Sequence, residues 1–129
     1  MKTIDILVVD DERDVYLATK LAMQLLEFEG IKANVSYSDS AASAIEMLTS
    51  NDYKLVFLDI IMETIYAGYE VISHIQKNKP NSDVCIFIRS GQPGNIPEEY
   101  LSLIKDVDGY LNKTDCTMEK LHDIVKTIA

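Results

Sequence analysis

Four places in the chain hold side chains that could do chemistry together: Asp10-Asp11-Glu12, Asp59, Ser90-Gly91 and Lys113. Carboxylates crowded into one crevice raise each other's pKa or require a cation. An all-oxygen cluster without His or Cys suits a hard cation such as Mg2+, which takes one or two carboxylates and keeps waters for a phosphate ligand. A hydroxyl from Ser90 and an ammonium from Lys113 would make such a pocket bifunctional. Metal and ammonium can both stabilise a phosphoryl group, and a carboxylate can serve as its nucleophile. Taken singly, each residue has a plainer reading. Asp10, Asp11 and Glu12 could cap a helix, because acids favour helix N-termini. Asp59 could be a loop acid, Ser90-Gly91 a turn, Lys113 a solvated lysine and Tyr110 half-buried core. The fold decides, by bringing them together or not.

The elements that must position them follow from the apolar pattern. Ile4 to Val9 is a short run rich in β-branched residues, as in a buried strand. Val15, Leu17, Leu21, Leu25 and Phe28 then fall near helical spacing, with Gly30 as a stop. Lys32 to Tyr37 is a second strand, and Ser40 to Ser50 a second helix with Ala41, Ala44, Ile45 and Leu48 on one face. Lys54 to Ile60 is a buried strand ending at Asp59, and Tyr69 to Lys79 a helix stopped by Pro80. Asp83 to Arg89 encloses a fourth buried strand, followed by the loop Ser90 to Pro97 and a short helix Glu98 to Lys105. Val107 to Leu111 is a fifth strand, weakened by Gly109. Met118, Leu121, Val125 and Ile128 mark a closing helix. Cys85 reads as a small core residue, Met23, Met47 and Met118 as core filler, and His74 and His122 as surface residues.

Five alternating strand–helix units with right-handed crossovers give a parallel sheet covered on both sides. Such sheets bind ligands beyond the carboxyl ends of their strands. The four chemical stretches all stand at expected strand ends: Asp10 after the first, Asp59 at the third, Ser90 after the fourth and Lys113 after the fifth.

Composition narrows the function classes. A chain of 129 residues predicts one domain over residues 1–129. Its net charge of −9 argues against a nucleic-acid surface or a basic membrane-surface helix, and permits metal cations or basic protein patches. No apolar run approaches a membrane span, and Ile6 to Val9 is too short for a secretory signal. Two cysteines make neither a metal cluster nor a disulfide framework, as expected of a reduced cytoplasmic chain. A dinucleotide fingerprint and a phosphate-binding P-loop are both absent.

This constellation resembles the receiver domain of two-component response regulators, over essentially the whole chain. The acidic pair Asp10-Asp11, Asp59 in FLDIIM with Met62 behind it, Ser90, and Tyr110 three residues before Lys113 in GYLNK stand in that family's order. The resemblance implies a flavodoxin-like, doubly wound sheet of order 2-1-3-4-5. It implies that Asp59 accepts a phosphoryl group from a histidine kinase or phosphotransfer protein. Asp11 and Asp59 would ligate Mg2+ directly, Asp10 through water, and the backbone carbonyl of Ile61 would complete the protein ligands. Ser90 and Lys113 would hold phosphate oxygens. Ser90 and Tyr110 would move together as a switch, changing a face around helix four, strand five and helix five for an output partner or a weak homodimer. Such a chain acts on no external substrate as an enzyme, although it catalyses its own phosphoryl transfer and dephosphorylation.

Some positions depart from the family pattern. Thr114 follows Lys113 and Glu63 follows Met62 where the family usually has proline. Gly68 comes one residue late, Gly91 replaces an alanine, and Asp106 stands where a glycine is common. Two other functions therefore compete. One is a pseudo-receiver that only binds protein. The other is a phosphoaspartate-type hydrolase, which would need a cap insertion that this chain has no room for.

Overall fold

The computed structural model describes residues 1–60, 62, 64, 66–78, 83–90, 98, 105 and 107–129. Five strands form one parallel sheet in the order β2-β1-β3-β4-β5. They are β1 (Lys2–Val9), β2 (Ile31–Ser38), β3 (Leu55–Leu58), β4 (Cys85–Ser90) and β5 (Gly109–Asn112). Helices α1 (Arg13–Gln24), α2 (Ala41–Ser50) and α3 (Ala67–Asn78), and a last helix (Met118–Ile128), cover it. The expected order and class are what the sheet shows. The interior of the expected helix over Glu98–Lys105 lies outside the described residues, as do Pro80, Gly91 and Asp106. No described helix is long and apolar enough to cross a membrane.

The central strands are apolar on both sides because both faces are covered. Every residue of β3 is buried. Leu7, Val9, Val56, Leu58 and Ile88 pack beneath α2 and α3, where Ala44, Leu48, Val71 and Ile72 meet them. Ile4, Ile6, Val8, Leu55 and Phe57 face the other way, under α1 and the last helix. Local chemistry sets the helix ends. The Ser40 side chain accepts from Ser43 N at the start of α2, and Thr117 accepts from Lys120 N before the last helix. A 3-10 turn (Leu25–Glu29) follows α1, and Gly30 closes it in the left-handed region at φ 82°.

Several expectations about side chains need correction. The stripe Leu17, Leu21, Leu25 and Phe28 is not the buried face of the first helix: Leu21 is 64% and Phe28 90% exposed. Thr19, Ala22 and Met23 face inward instead, where small side chains bring the helix close to the sheet. Met118 is 49% exposed rather than core filler, because it opens the last helix and Leu121 and Val125 carry its buried face. Met23 is buried as expected, while Met47 and Cys85 only pack against the core edge. His122 is half-buried and joins two helices, its Nε2 lying 2.7 Å from Ala22 O. His74 is half-buried too, beside Asn78 and Thr49.

Gly109 is a fitted residue rather than a weak spot in β5. It pairs with Phe87 across the sheet, and a Cβ there would lie 2.3 Å from the Phe87 ring.

Candidate functional site: an acidic crevice at the carboxyl ends of the strands

Parallel pairing places the acids side by side. Val9 on β1 stands in register with Leu58 on β3, so the residues that follow them, Asp10 and Asp59, are neighbours. Asp59 N donates to Val9 O at 2.8 Å, which fixes the step from strand to loop. Asp10 is fully buried and Asp59 only 6% exposed, whereas Asp11 is exposed. Carboxylate oxygens of Asp10, Asp11 and Asp59 all lie within 4.8 Å of one another.

These acids do not cap α1 with their side chains. Glu12 is the N-cap residue and makes no side-chain cap bond, while Asp10 Oδ1 accepts from Glu12 N at 2.9 Å. The acidic pair is held for the crevice rather than for the helix.

Lys113 enters from the end of β5. Its Nζ stands 3.1 Å from Asp59 Oδ2 and 3.0 Å from Asp10 Oδ2, with Glu12 Oε1 at 3.9 Å. Burial pulls its pKa down, but the hydrogen bond it donates to Asp10 and the charges of Asp59 and Asp10 outweigh it, so the ammonium is held above its ordinary value. No described peptide bond is cis, so Lys113–Thr114 is trans. A short 3-10 turn (Lys113–Asp115) follows, with Asn112 Oδ1 accepting from both Thr114 N and Thr114 Oγ1. Threonine in place of proline therefore still leaves the ammonium in the crevice.

Ser90 ends β4, buried, beside Asn112 of β5. Tyr110 on β5 is half-buried two residues before Asn112, and its hydroxyl is buried without a hydrogen-bond partner in good geometry. Burial raises the Tyr110 phenol pKa, the nearby Ser90 hydroxyl lowers it, and the Asp59 charge raises it again. The serine and tyrosine expected to move together thus stand on neighbouring strands, and the charge of Asp59 reaches the phenol.

The loop after Asp59 keeps its glycine despite the late position. Gly68 N donates to Ile60 O at 2.9 Å. A Cβ on Gly68 would lie 2.4 Å from Ile60 Cα and 2.7 Å from Asp59 O. Only a residue without a side chain lets α3 start this close to the loop. Met62 packs against the core edge. Ile61, expected to offer its backbone carbonyl, and Glu63 lie outside the described residues.

The sequence pattern passed over one residue here. Arg89, next to Ser90, points to the opposite side of the sheet and is 3% exposed. A single charge inside the run VCIFIR was the available signal.

The donor set fits a hard divalent cation. Three carboxylates converge, with oxygen donors and no nitrogen or sulfur, and one ammonium leaves negative charge uncompensated. Asp10 Oδ2 is buried with no hydrogen-bond donor in good alignment, although Nζ is near enough to pair ionically. Asp59, the ammonium and the Ser90 hydroxyl together offer a nucleophile with positive and hydrogen-bonding support for an incoming anion.

Comparisons with known proteins bear on the family and the fold. The family model for the response regulator receiver domain matches residues 6–126. A response regulator protein, TrrA from Thermotoga maritima, solved in complex with Mg2+–BeF, is 30% identical with a TM-score of 0.69, covering 100% of both chains. NtrX from Brucella abortus, solved with ATP, is 28% identical with a TM-score of 0.68 and matches 97% of this chain over 26% of its own. The receiver domain of a LuxO-type repressor from Vibrio parahaemolyticus has a TM-score of 0.76 at 16% identity, covering 98% of this chain and 89% of its own, which speaks to the fold alone. Among curated proteins, a 3'3'-cGAMP-specific phosphodiesterase 2 from Vibrio cholerae is 28% identical over 121 residues. That match takes in 93% of this chain but only 23% of the relative's length.

Proposed function

The chain belongs to the response regulator receiver family of two-component systems, and from that premise we propose that Asp59 is its phosphoacceptor. One observation carries the reading: a nearly buried carboxylate at the end of β3 stands 3.1 Å from the Lys113 ammonium, in one cluster with Asp10 and Asp11. An Asp59 carboxylate oxygen attacks the phosphorus of a phosphohistidine on a sensor kinase or phosphotransfer protein. The O–P bond forms as the P–N bond breaks, and the imidazole leaves with the electron pair. Lys113 moves from its carboxylate partners to a phosphoryl oxygen, and the Ser90 hydroxyl donates to another. Asp11 and Asp59 directly, Asp10 through water, and the Ile61 carbonyl would hold Mg2+, which would supply positive charge to offset the phosphoryl oxygens.

Ser90 and Tyr110 report the new group. Once Ser90 turns to the phosphoryl oxygen, Tyr110 repacks toward the space beside it, altering the face of β5, the last helix and the fourth helix of the expected pattern for an output partner or a second copy. We read residues 1–129 as one receiver unit working in the cytoplasm. The relative's phosphodiesterase activity stays with that longer protein.

Intact mass after incubation with acetyl phosphate, with and without Mg2+, tests this. The wild type gains one phosphoryl group only with Mg2+, and Asp59→Asn gains none. A folded wild type that gains nothing overturns the proposal in favour of a protein-binding module. A variant that still gains the group moves the acceptor elsewhere.

A further inference from the structure

A second site lies on the opposite side of β4 from Ser90. A cavity of about 420 Å3 opens between α1 and the last helix, within the ~300–1,000 Å3 range of small-molecule pockets. Its walls are mostly apolar, with Leu21, Leu25 and Leu121 among them, while Thr19, Arg89 and Cys116 bring polar atoms to it.

Arg89 is the unusual member. Its guanidinium is buried, and an arginine stays protonated at any ordinary pH. It rests over the Phe57 ring, with Cζ 4.7 Å from the centroid. Nη1 donates to Thr19 Oγ1 at 2.7 Å, and that hydroxyl donates in turn to Val15 O at 2.8 Å, which orients the fork. Nε and Nη2 are buried with no hydrogen-bond acceptor in good alignment, the Cys116 sulfur beside the guanidinium being the nearest polar group to serve. These two nitrogens share one edge of the guanidinium, the edge that receives a carboxylate through two parallel hydrogen bonds. Burial presses the pKa of Arg89 down, while the Cys116 side chain, by its charge and as a hydrogen-bonding neighbour, and then the charges of Asp10 and Asp59 press it up; no carboxylate forms an ion pair with it among the described residues. Leaving a buried charge so poorly matched is costly, and an anion on that edge would repay it.

We propose that this cavity binds a small amphipathic carboxylic acid, its aliphatic part against Leu21, Leu25 and Leu121 and its carboxylate on Arg89 Nε and Nη2, which open to the cavity when the Cys116 side chain beside them turns aside. The apolar walls select a hydrocarbon body, and the single fork selects one carboxylate. Arg89 neighbours Ser90 in sequence, and Lys113 lines the cavity as well as the acidic crevice, so an occupant sits one residue from the phosphoacceptor machinery.

The test is a two-dimensional amide NMR titration of the metal-free, unphosphorylated protein with octanoate, octanol and octylammonium, which makes it independent of phosphorylation. Octanoate is expected to shift the amides of Ala18, Leu21, Arg89 and Leu121 in a saturable way, with octanol about tenfold or more weaker and octylammonium without effect. Arg89→Met should bind octanoate about as weakly as wild type binds octanol. Leu21→Glu, at an exposed position that leaves the core intact, should weaken octanoate and spare octanol. Equal binding of octanoate and octanol, unchanged affinity in both variants, or no saturable shift in the folded wild type would each overturn the proposal.

Discussion

Beneath α2 and α3 the sheet buries an apolar layer that includes Leu7, Leu48, Val56, Leu58 and Ile72. Beneath α1 and the last helix it buries Ile6, Phe57 and Leu121, but with them a guanidinium, a threonine hydroxyl and a cavity. The outer surface differs as well, since Leu17 and Leu21 of α1 and Leu25 of the turn that follows it are exposed on that second side. The first side has the make-up of a layer selected for packing. The second accepts a costly buried charge and an unfilled volume, which packing alone would remove. Stability and recognition are thus divided between the two faces of one sheet, and the acidic crevice sits on the edge they share.

The largest expected effect falls on the packed side. Leu48→Ala should lower the unfolding free energy by about 2–5 kcal/mol, measured by urea denaturation with circular dichroism. A loss below about 1 kcal/mol would mean that this face relaxes easily, and the contrast would fail. Next comes a tight fit on the other side. Gly109→Ala should cost about 1–3 kcal/mol, because the new methyl meets the Phe87 ring. Adding Phe87→Leu should recover part of that loss, and a double-mutant cycle with no coupling would remove Phe87 as the cause.

Arg89→Met sharpens the comparison most directly. Removing a poorly paired buried charge while keeping its bulk should leave stability within about 1 kcal/mol of wild type, or raise it. Thr19 keeps its bond to Val15 O in that variant. A loss of about 3 kcal/mol or more would make Arg89 a structural residue and erase the division.

The smallest effect concerns Tyr110. Its phenol is raised by burial first, so the folded state holds the proton more tightly than the unfolded chain. The stability this provides is complete below the ordinary tyrosine value of about 10 and is lost as pH rises through the raised folded value. Unfolding midpoints measured from pH 8 upward should therefore fall less steeply for Tyr110→Phe than for wild type. Parallel slopes would show that Tyr110 is no better shielded than an exposed tyrosine.

The sheet and the crevice were legible for one physical reason. A strand buried on both faces must be apolar along its length, so LVFL and VCIFI declare themselves, and the charges that end such runs fall where the crevice opens. Ser40 before α2 and Gly30 after the first helix were equally readable, since caps and left-handed turns have narrow residue preferences. The facing of α1 was not. Periodicity finds apolar residues at helical spacing, but Thr19 and Ala22 win the inner face because the backbone comes close there and because Arg89 needs a hydroxyl. Arg89 itself escaped notice because a charge at the end of an apolar run reads as solvent-facing unless its partner across seventy residues of chain is known. Gly109 was misread for a similar reason, its use lying wholly in a ring on the neighbouring strand.

Gly68 has a consequence for how this protein can vary. Every single-nucleotide change that replaces a glycine codon with another amino acid adds a β carbon. At this position that carbon would strike the backbone of Ile60 and the carbonyl of Asp59, which cannot swing aside as a side chain can. A saturation library selected for folded protein should therefore recover Gly68 almost solely through silent codons, while neighbouring Glu70, exposed on α3, accepts a broad set of residues. The contact that seats α3 beside the candidate phosphoacceptor would register in a population of genes as a position that drifts only in its third base.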